Sequence, residues 1–131
     1  MKSFDEWGVE KKKLEEFGHA ELAFHKRDIW WCSVGINLGD EQDGKNANFE
    51  RPVLVLKKFN QKIAWVLPMS SKIKDGIYYH RLYHDGKTLV VILSQIRLIS
   101  VKRIRRYMQK ISQHQFKIIQ NKIIDLIKSA G

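Results

Sequence analysis

Apolar positions recur along this chain in two different rhythms. Near the start the spacing is helical: Trp7, Leu14 and Phe17 lie seven and three residues apart, which places them on one stripe of a helix. Ser3-x-x-Glu6 is a capping-box pattern that starts this helix near Phe4. Gly18 suits the position just past its end. From residue 29 onward the rhythm changes to short runs of Val, Ile, Leu and Trp bounded by turn residues, the pattern of strands. Ile29 to Ile36 reads as the first. Residues 37–50 have the composition of a loop, with Gly39, Asp40, Asp43, Gly44, Asn46 and Asn48. Val53 to Leu56 is apolar on both faces and so reads as a central strand; Pro52 is tolerated because it opens that strand, where no ladder donor is needed. A turn at Asn60-Gln61 leads to a strand over Lys62 to Pro68, and Lys72 to Gly76 is a second loop. Ile77 to Leu82 and Thr88 to Leu93 read as a hairpin around Asp85-Gly86, a strong turn signal. Gln95 to Ile99 reads as a further short strand, and Val101 to Met108 as a short helix or helical turn. Ser112-x-x-Gln115 is a second capping box, opening a C-terminal helix with Phe116, Ile119, Ile123 and Ile127 on one face.

Strands joined by such short turns cannot make parallel crossovers, so the sheet is expected to be mainly antiparallel. The expected fold is mainly β with α: a small, strongly bent sheet or half-open barrel, with an N-terminal helix and a C-terminal helix that closes one side. A chain of 131 residues suits one core. Residues 1–25 are read as an accessory helix and 26–131 as the barrel domain.

Charge adds a direction. The net charge is +10, but residues 1–50 carry 7 basic against 11 acidic groups, residues 51–100 carry 9 against 2, and residues 101–131 carry 8 against 1. A basic body of this kind attracts polyanions, nucleic acid above all, and an acidic protein fits the same field. No apolar run approaches the ~20 residues that cross a bilayer. The first residues turn acidic at once, with no apolar signal core. With a single cysteine, Cys32, no intramolecular disulfide can form. The expectation is a cytoplasmic protein without membrane contact. Cys32 sits inside an apolar strand pattern and reads as a buried structural thiol.

Several residues carry candidate chemistry. Arg51 stands where the polar loop meets the central strand; it serves either as a fixed cation for phosphate oxygens or as a rim arginine paired with Glu50 or Glu41. Ser70 and Ser71 end the third apolar run, as two hydroxyl donors or as the start of a turn. Strand alternation allows only one of them to share a site with Arg51. Lys72, Lys74, Tyr78, Tyr79, His80, Arg81, Tyr83 and His84 interleave cations with aromatics, which suits bases stacking on rings and equally suits an ordinary hairpin. His80 and His84 are a conceivable acid–base pair that nothing in their spacing demands. No His/Cys/Asp/Glu set has metal-binding spacing, and no glycine-rich phosphate loop is present.

The order Glu41-Gln42-Asp43-Gly44, Arg51-Pro52 with a hydrophobic strand, Pro68-x-Ser70-Ser71 and Gln95-Ile96-Arg97 resembles the MazF/PemK family of toxin endoribonucleases. The resemblance covers roughly residues 27–128 and includes the paired tryptophans of the first strand and the C-terminal helix. It implies an SH3-like barrel of the PemK/CcdB type, a homodimer, and metal-independent and cofactor-free cleavage of single-stranded RNA at short motifs by attack of the 2′-hydroxyl. It also implies an acidic antitoxin that silences the enzyme. Carried over residue by residue, Arg51 is the catalytic cation, Ser70 the hydroxyl that holds the scissile phosphate and Glu41 the proton acceptor. Gln42 orients substrate or loop, Ser71 is the adjacent candidate hydroxyl and Arg97 a phosphate contact; Lys72, Lys74, Tyr79 and Arg81 are added as RNA contacts from the cation–aromatic segment itself, not from the resemblance. Two departures stand out. Serine replaces the threonine more usual at position 70. Six residues, Lys45 to Glu50, separate Gly44 from Arg51 where shorter members have one or two, which bears on where Glu41 sits. Two other readings keep the fold: a non-nuclease toxin that binds a protein target such as DNA gyrase, as CcdB-type toxins do, and a non-catalytic RNA-binding barrel.

Overall fold

A computed structural model of the chain describes residues 24–33 and 50–129. The expected N-terminal helix, the 37–49 loop with Glu41 and Gln42, and the end of the first strand beyond Ser33 lie outside these residues. Among the described residues, seven strands form one antiparallel sheet: β1 (Asp28–Ser33), β2 (Glu50–Lys58), β3 (Ile63–Ser70), β4 (Tyr79–His84), β5 (Lys87–Ile92), β6 (Arg97–Ser100) and β7 (Ile104–Lys110). The helix α1 (Gln113–Lys128) follows. The order across the sheet is β4-β5-β3-β2-β1-β7, with β6 paired to β3 off this path.

β3 is the hub, because its two halves have different neighbours. Ala64 to Pro68 pair with β2 and Ile63 to Val66 with β6, whereas Met69 and Ser70 pair with β5. A strand that changes partners along its length bends the sheet on itself. The two ends of the path are consequently brought together: His84 at the end of β4 hydrogen-bonds Gln109 on β7. This is the half-open barrel expected from the meander spacing.

Alternation divides the apolar residues between two cores. Trp30, Cys32, Val53, Val55, Ala64, Val66, Ile99 and Ile104 build the first, together with Phe24 and Val101. Ile29, Leu54, Leu67, Met69, Leu82 and Val91 face the other way and pack beneath Phe116, Ile119 and Ile123 of α1. β2 therefore buries Val53 and Val55 on one face and Leu54 on the other, as its unbroken apolar run predicts. With both faces apolar, the pattern in the middle of β2 does not set its register. The charged ends do: a one-residue slip would carry Arg51 or Lys57 toward an apolar core, where an unpaired charge costs several kcal/mol.

Local signals behave as their chemistry dictates. Asn60 Oδ1 accepts from the backbone N–H groups of Lys62 (2.7 Å) and Ile63 (3.1 Å), closing the β2–β3 turn. Asp85 and Gly86 both adopt positive φ, +50° and +75°, in the β4–β5 hairpin, the conformation an Asp-Gly turn supplies. Ser112 caps α1, its Oγ accepting from Gln115 N at 3.1 Å.

Two expectations are corrected. Val101 to Met108 is not a helix: a 3₁₀ turn at Val101–Arg103, capped by Ser100, leads into strand β7. The 3–4 spacing of Val101, Ile104 and Met108 fits a helix by itself, but this segment supplies the partner for the open edge of β1, and pairing overrides local propensity. Asp28, buried in β1, fixes the end of that pairing by an ion pair with Lys110 at 2.8 Å. The second correction concerns α1, where Ile127 is 75% exposed and Leu126 continues the stripe against the core.

Candidate functional site

The ladder between β2 and β3 runs Val55↔Val66, Leu54↔Leu67, Val53↔Pro68 and ends there. Continuing the same register by two residues sets Arg51 opposite Ser70. At that point β3 has already changed partner, with Met69↔Val91 and Ser70↔Val90 on β5. Pro52 and Pro68 flank the break. Neither has an N–H to extend a ladder, so the sequence itself ends the pairing two residues short of Arg51 and Ser70.

The registers extend this pair into a row. Arg81 of β4 pairs with Val90, Val90 with Ser70, and Arg51 with Cys32 of β1. Cross-strand neighbours share a face, so Arg81, Ser70 and Arg51 point to the same side, in steps of ~4.8 Å from strand to strand. Tyr79, two residues from Arg81, shares that face and stands over Ile92 in the register. Ser71, just past the end of β3, falls in the opposite phase.

Most of these side chains have modest holds. Ser70 Oγ accepts from Lys72 N at 3.1 Å, so the serine does begin a turn, yet its own proton is left to donate. Arg81 Nη2 meets Asp75 at 2.7 Å, but both side chains are substantially exposed, and such a pair is worth little. Lys74 Nζ lies 5.8 Å from the centre of the Tyr79 ring, and Lys72 is exposed. Arg51 is half-buried, and its neighbour Glu50 pairs with Arg106 at 3.1 Å. Arg97, opposite Val66 in the β3–β6 register, shares the face of Arg51 and Ser70. Its Nη1 is buried without a hydrogen-bond partner, an uncompensated cost for a guanidinium.

The remaining candidates fall elsewhere. Cys32 is buried beside Arg51, and burial pushes its thiol up to about 12 against the pull of Arg105 and Arg103; it is a neutral packing group, not a nucleophile. His80 and His84 alternate onto the opposite face, toward α1. His80 Nε2–H donates to Gln115 Oε1 at 2.7 Å while Nδ1 accepts from Lys122 Nζ at 3.0 Å. Burial holds the His80 pKa below its ordinary value, the Gln115 bond opposing and Lys122 adding to the shift. His84 is held by Gln109 and lies 3.4 Å from Asp85. Both histidines thus belong to the seam that closes the barrel. Among the described residues no group of three His, Cys, Asp or Glu could hold a metal ion, and no helix is long and apolar enough to cross a membrane.

β7 adds cations that the sequence left unplaced. Arg103 Nη1 donates to Ser33 O at 3.3 Å, and Arg103 and Arg105 are both felt at Cys32, the register neighbour of Arg51. Arg106 stacks over Trp31 with its guanidinium carbon 4.9 Å from the ring centre. Reading this segment as a helix hid these positions; only its pairing with β1 reveals them.

Comparison with known proteins agrees with this architecture. The model of the PemK-like, MazF-like toxins of type II toxin–antitoxin systems matches residues 25–127. Among solved structures, the Mycobacterium tuberculosis toxin MazF-mt6 superposes with a TM-score of 0.61 at 14% identity, over 80% of this chain and 100% of that one. An endoribonuclease in complex with its cognate antitoxin from a mycobacterial species gives 0.59 at 10% identity, over 82% and 98%. A further structure described as an Mtb toxin gives 0.51 at 17% identity, over 57% and 90%. At these identities the likeness is one of fold. No curated protein matches significantly. The span and order of the family match, on a barrel of the same architecture, place this chain in the PemK-like, MazF-like family of type II toxin–antitoxin toxins.

Proposed function

We propose that this chain is a toxin endoribonuclease that cuts single-stranded RNA by attack of the neighbouring 2′-hydroxyl and is silenced by a cognate antitoxin. The observation that supports this reading is the register of β2 and β3, which, continued two residues past the end of their ladder, sets Arg51 opposite Ser70.

Such a cut needs no external nucleophile. The 2′-oxygen bonds to phosphorus as its proton passes to an acceptor, and the bond to the 5′-oxygen breaks as that oxygen takes a proton from Arg51, which solvent restores. The products are a 2′,3′-cyclic phosphate and a 5′-hydroxyl. Negative charge crowds the phosphorane, and groups aimed at it in advance lower the barrier. Arg51 supplies the fixed charge, its fork matching two phosphate oxygens. Ser70 donates its proton to a non-bridging oxygen. An arginine is a poor base with its pKa above ~12, so a carboxylate is the better acceptor. Glu41, which falls between β1 and β2 in the sequence, has the right chemistry.

The row around this pair suits the strand of substrate. Arg81, Lys72, Lys74 and Arg97 follow phosphates, Tyr79 offers a ring to a base, and Gln42 offers a hydrogen bond; Ser71, in the opposite phase, takes no part. Exchange of the exposed Asp75 partner of Arg81 for a phosphate costs little. The antitoxin complex of the mycobacterial relative and the basic body of this chain support an acidic antitoxin as partner. A symmetric homodimer completes the reading.

The test is cleavage of a long single-stranded RNA in EDTA, wild type beside Arg51→Ala, with the new ends identified. Discrete cuts by wild type alone, ending in cyclic phosphate, are expected. Intact RNA with both proteins would replace this reading with a toxin that acts by binding a protein target.

A further inference from the structure

The face of the sheet that α1 covers is only partly covered. On β3, Leu67 and Met69 are buried beneath the helix, but Trp65, in the same phase two residues earlier, is 41% exposed. Its cross-strand neighbour Leu98 is 58% exposed. Phe59, 42% exposed, meets the Trp65 ring edge-on with centroids 5.1 Å apart. Lys57, opposite Trp65 on the other side, lies over Phe59 at 5.8 Å. Three large apolar side chains thus form one contiguous exposed patch at the tip of the β2–β3 hairpin, rimmed by lysines. Surface aromatics scattered singly need no explanation; a contiguous patch with a polar rim does.

We propose that this patch is the docking site of the chain's own N-terminal segment, residues 4–17, bound as an amphipathic helix. Three observations converge on that occupant. The first is where the segment joins the barrel: the described chain starts at the buried Phe24, whose ring carries the ammonium of Lys58 at 5.4 Å from its centre, and Lys58 adjoins Phe59. The second is pattern. Trp7, Leu14 and Phe17 offer one helical stripe of three large apolar groups to a patch of three. A helix of this length spans ~21 Å, and the residues that join it to Phe24 reach ~20 Å when extended, ample to turn about the hairpin. The third is charge: residues 1–23 carry six acidic groups against four lysines, while the hairpin carries Lys57, Lys58 and Lys62 with no acid. Glu10 continues the Trp7 stripe at i+3 and Glu21 continues it beyond Phe17; Lys11 borders the stripe at i+4 from Trp7, and Lys12 and Lys13 lie off it. The segment would seal an apolar surface that the C-terminal helix leaves bare, on the face opposite Arg51 and Ser70.

Amide hydrogen exchange on the full chain tests this, comparing wild type, the double variant Trp65→Ser/Leu98→Ser, and Ile127→Ser as a control for loss of an exposed apolar group elsewhere. A synthetic peptide of residues 1–23 gives the undocked rate. In wild type and the control, amides of residues 8–17 should exchange at least ~10-fold more slowly than in the peptide. In the double variant they should return to the peptide rate while β2 and β3 stay protected. Peptide-like exchange in the wild type would overturn the proposal. So would protection that survives in the double variant, which would put the segment on another surface. A dimer that the double variant dissociates, with residues 8–17 unprotected throughout, would assign the patch to a second copy instead.

Discussion

Two polar clusters lie on opposite faces of this barrel, and they differ in what holds them. At the seam between β4, β7 and α1, His80 is bonded at both ring nitrogens, to Gln115 and Lys122, and His84 is bonded to Gln109. These contacts join residues 25 to 42 positions apart, and each donor has a matched acceptor inside the protein. In the row of Arg81, Ser70 and Arg51, Ser70 accepts from a backbone N–H two residues away and Arg81 holds an exposed aspartate. The first cluster spends its hydrogen-bonding capacity on closing the fold. In the second, the hydroxyl proton of Ser70 and the exposed guanidinium of Arg81 stay within reach of a phosphate. Sequence alone leaves the histidines open as an acid–base pair, since imidazole titrates near neutrality; their partners in the fold assign them to architecture.

The comparison breaks most sharply at Arg51. Its replacement by alanine should lower the cleavage rate by ~10³-fold or more, the usual cost of removing a preorganised transition-state donor, with the unfolding midpoint changed little. His80→Ala should leave most cleavage in place and lower stability. If the two variants exchanged these behaviours, the assignments of both clusters would have to be exchanged as well.

Ser70 sharpens the register. Ser70→Ala should reduce kcat by ~10- to 100-fold by removing one donor to the phosphate, whereas Ser71→Ala, in the opposite phase, should stay within ~2-fold, as surface substitutions generally do. The reverse ranking would show that the pairing of β3 is displaced by one residue, since such a slip exchanges the two faces. Arg81→Ala is expected to act more gently. It should raise KM with kcat nearly unchanged, and reduce the slope of log affinity against log salt by ~1 for each phosphate no longer neutralised. An altered kcat at unchanged KM would move Arg81 from binding into the chemistry.

How much of this was legible beforehand follows from what each signal measures. Alternation and turn residues report local geometry, so the β2 core, the Asp-Gly hairpin and the Ser112 cap could be read directly. Arg51 and Ser70 could be named from motif order, but their opposition follows from a register, a relation between strands that neither strand encodes alone. β7 was unreadable for a related reason. Its Ile104-Arg-Arg-Tyr-Met pattern buries one residue and exposes the next three, so no period-2 signal survives, and only the open edge of β1 makes it a strand. The histidines carried no sign of their partners, because Gln115 and Lys122 come from a helix that packs onto β4 only in the finished fold.

The smallest expected effect is a pH dependence at the seam. Burial, aided by Lys122 and opposed by the Gln115 bond, holds the His80 pKa below its unfolded value of ~6.5. The unfolded chain therefore takes up a proton at a higher pH than the native protein does. Between those two pKa values the unfolded state binds more protons, so stability rises with pH there and falls as the solution is acidified. The contribution of His80 is complete above ~6.5 and is lost as pH drops through the native value. Protonation also removes the lone pair that Lys122 uses, and sets two cations 3.0 Å apart. Urea midpoints measured from pH 7.5 to 5 should decline for wild type, and decline less for His80→Gln, which cannot titrate. Lys122→Met, lacking the nearby cation, should also flatten the decline. Parallel curves for all three proteins would show that the seam does not sense protons and that the wild-type slope arises at other histidines.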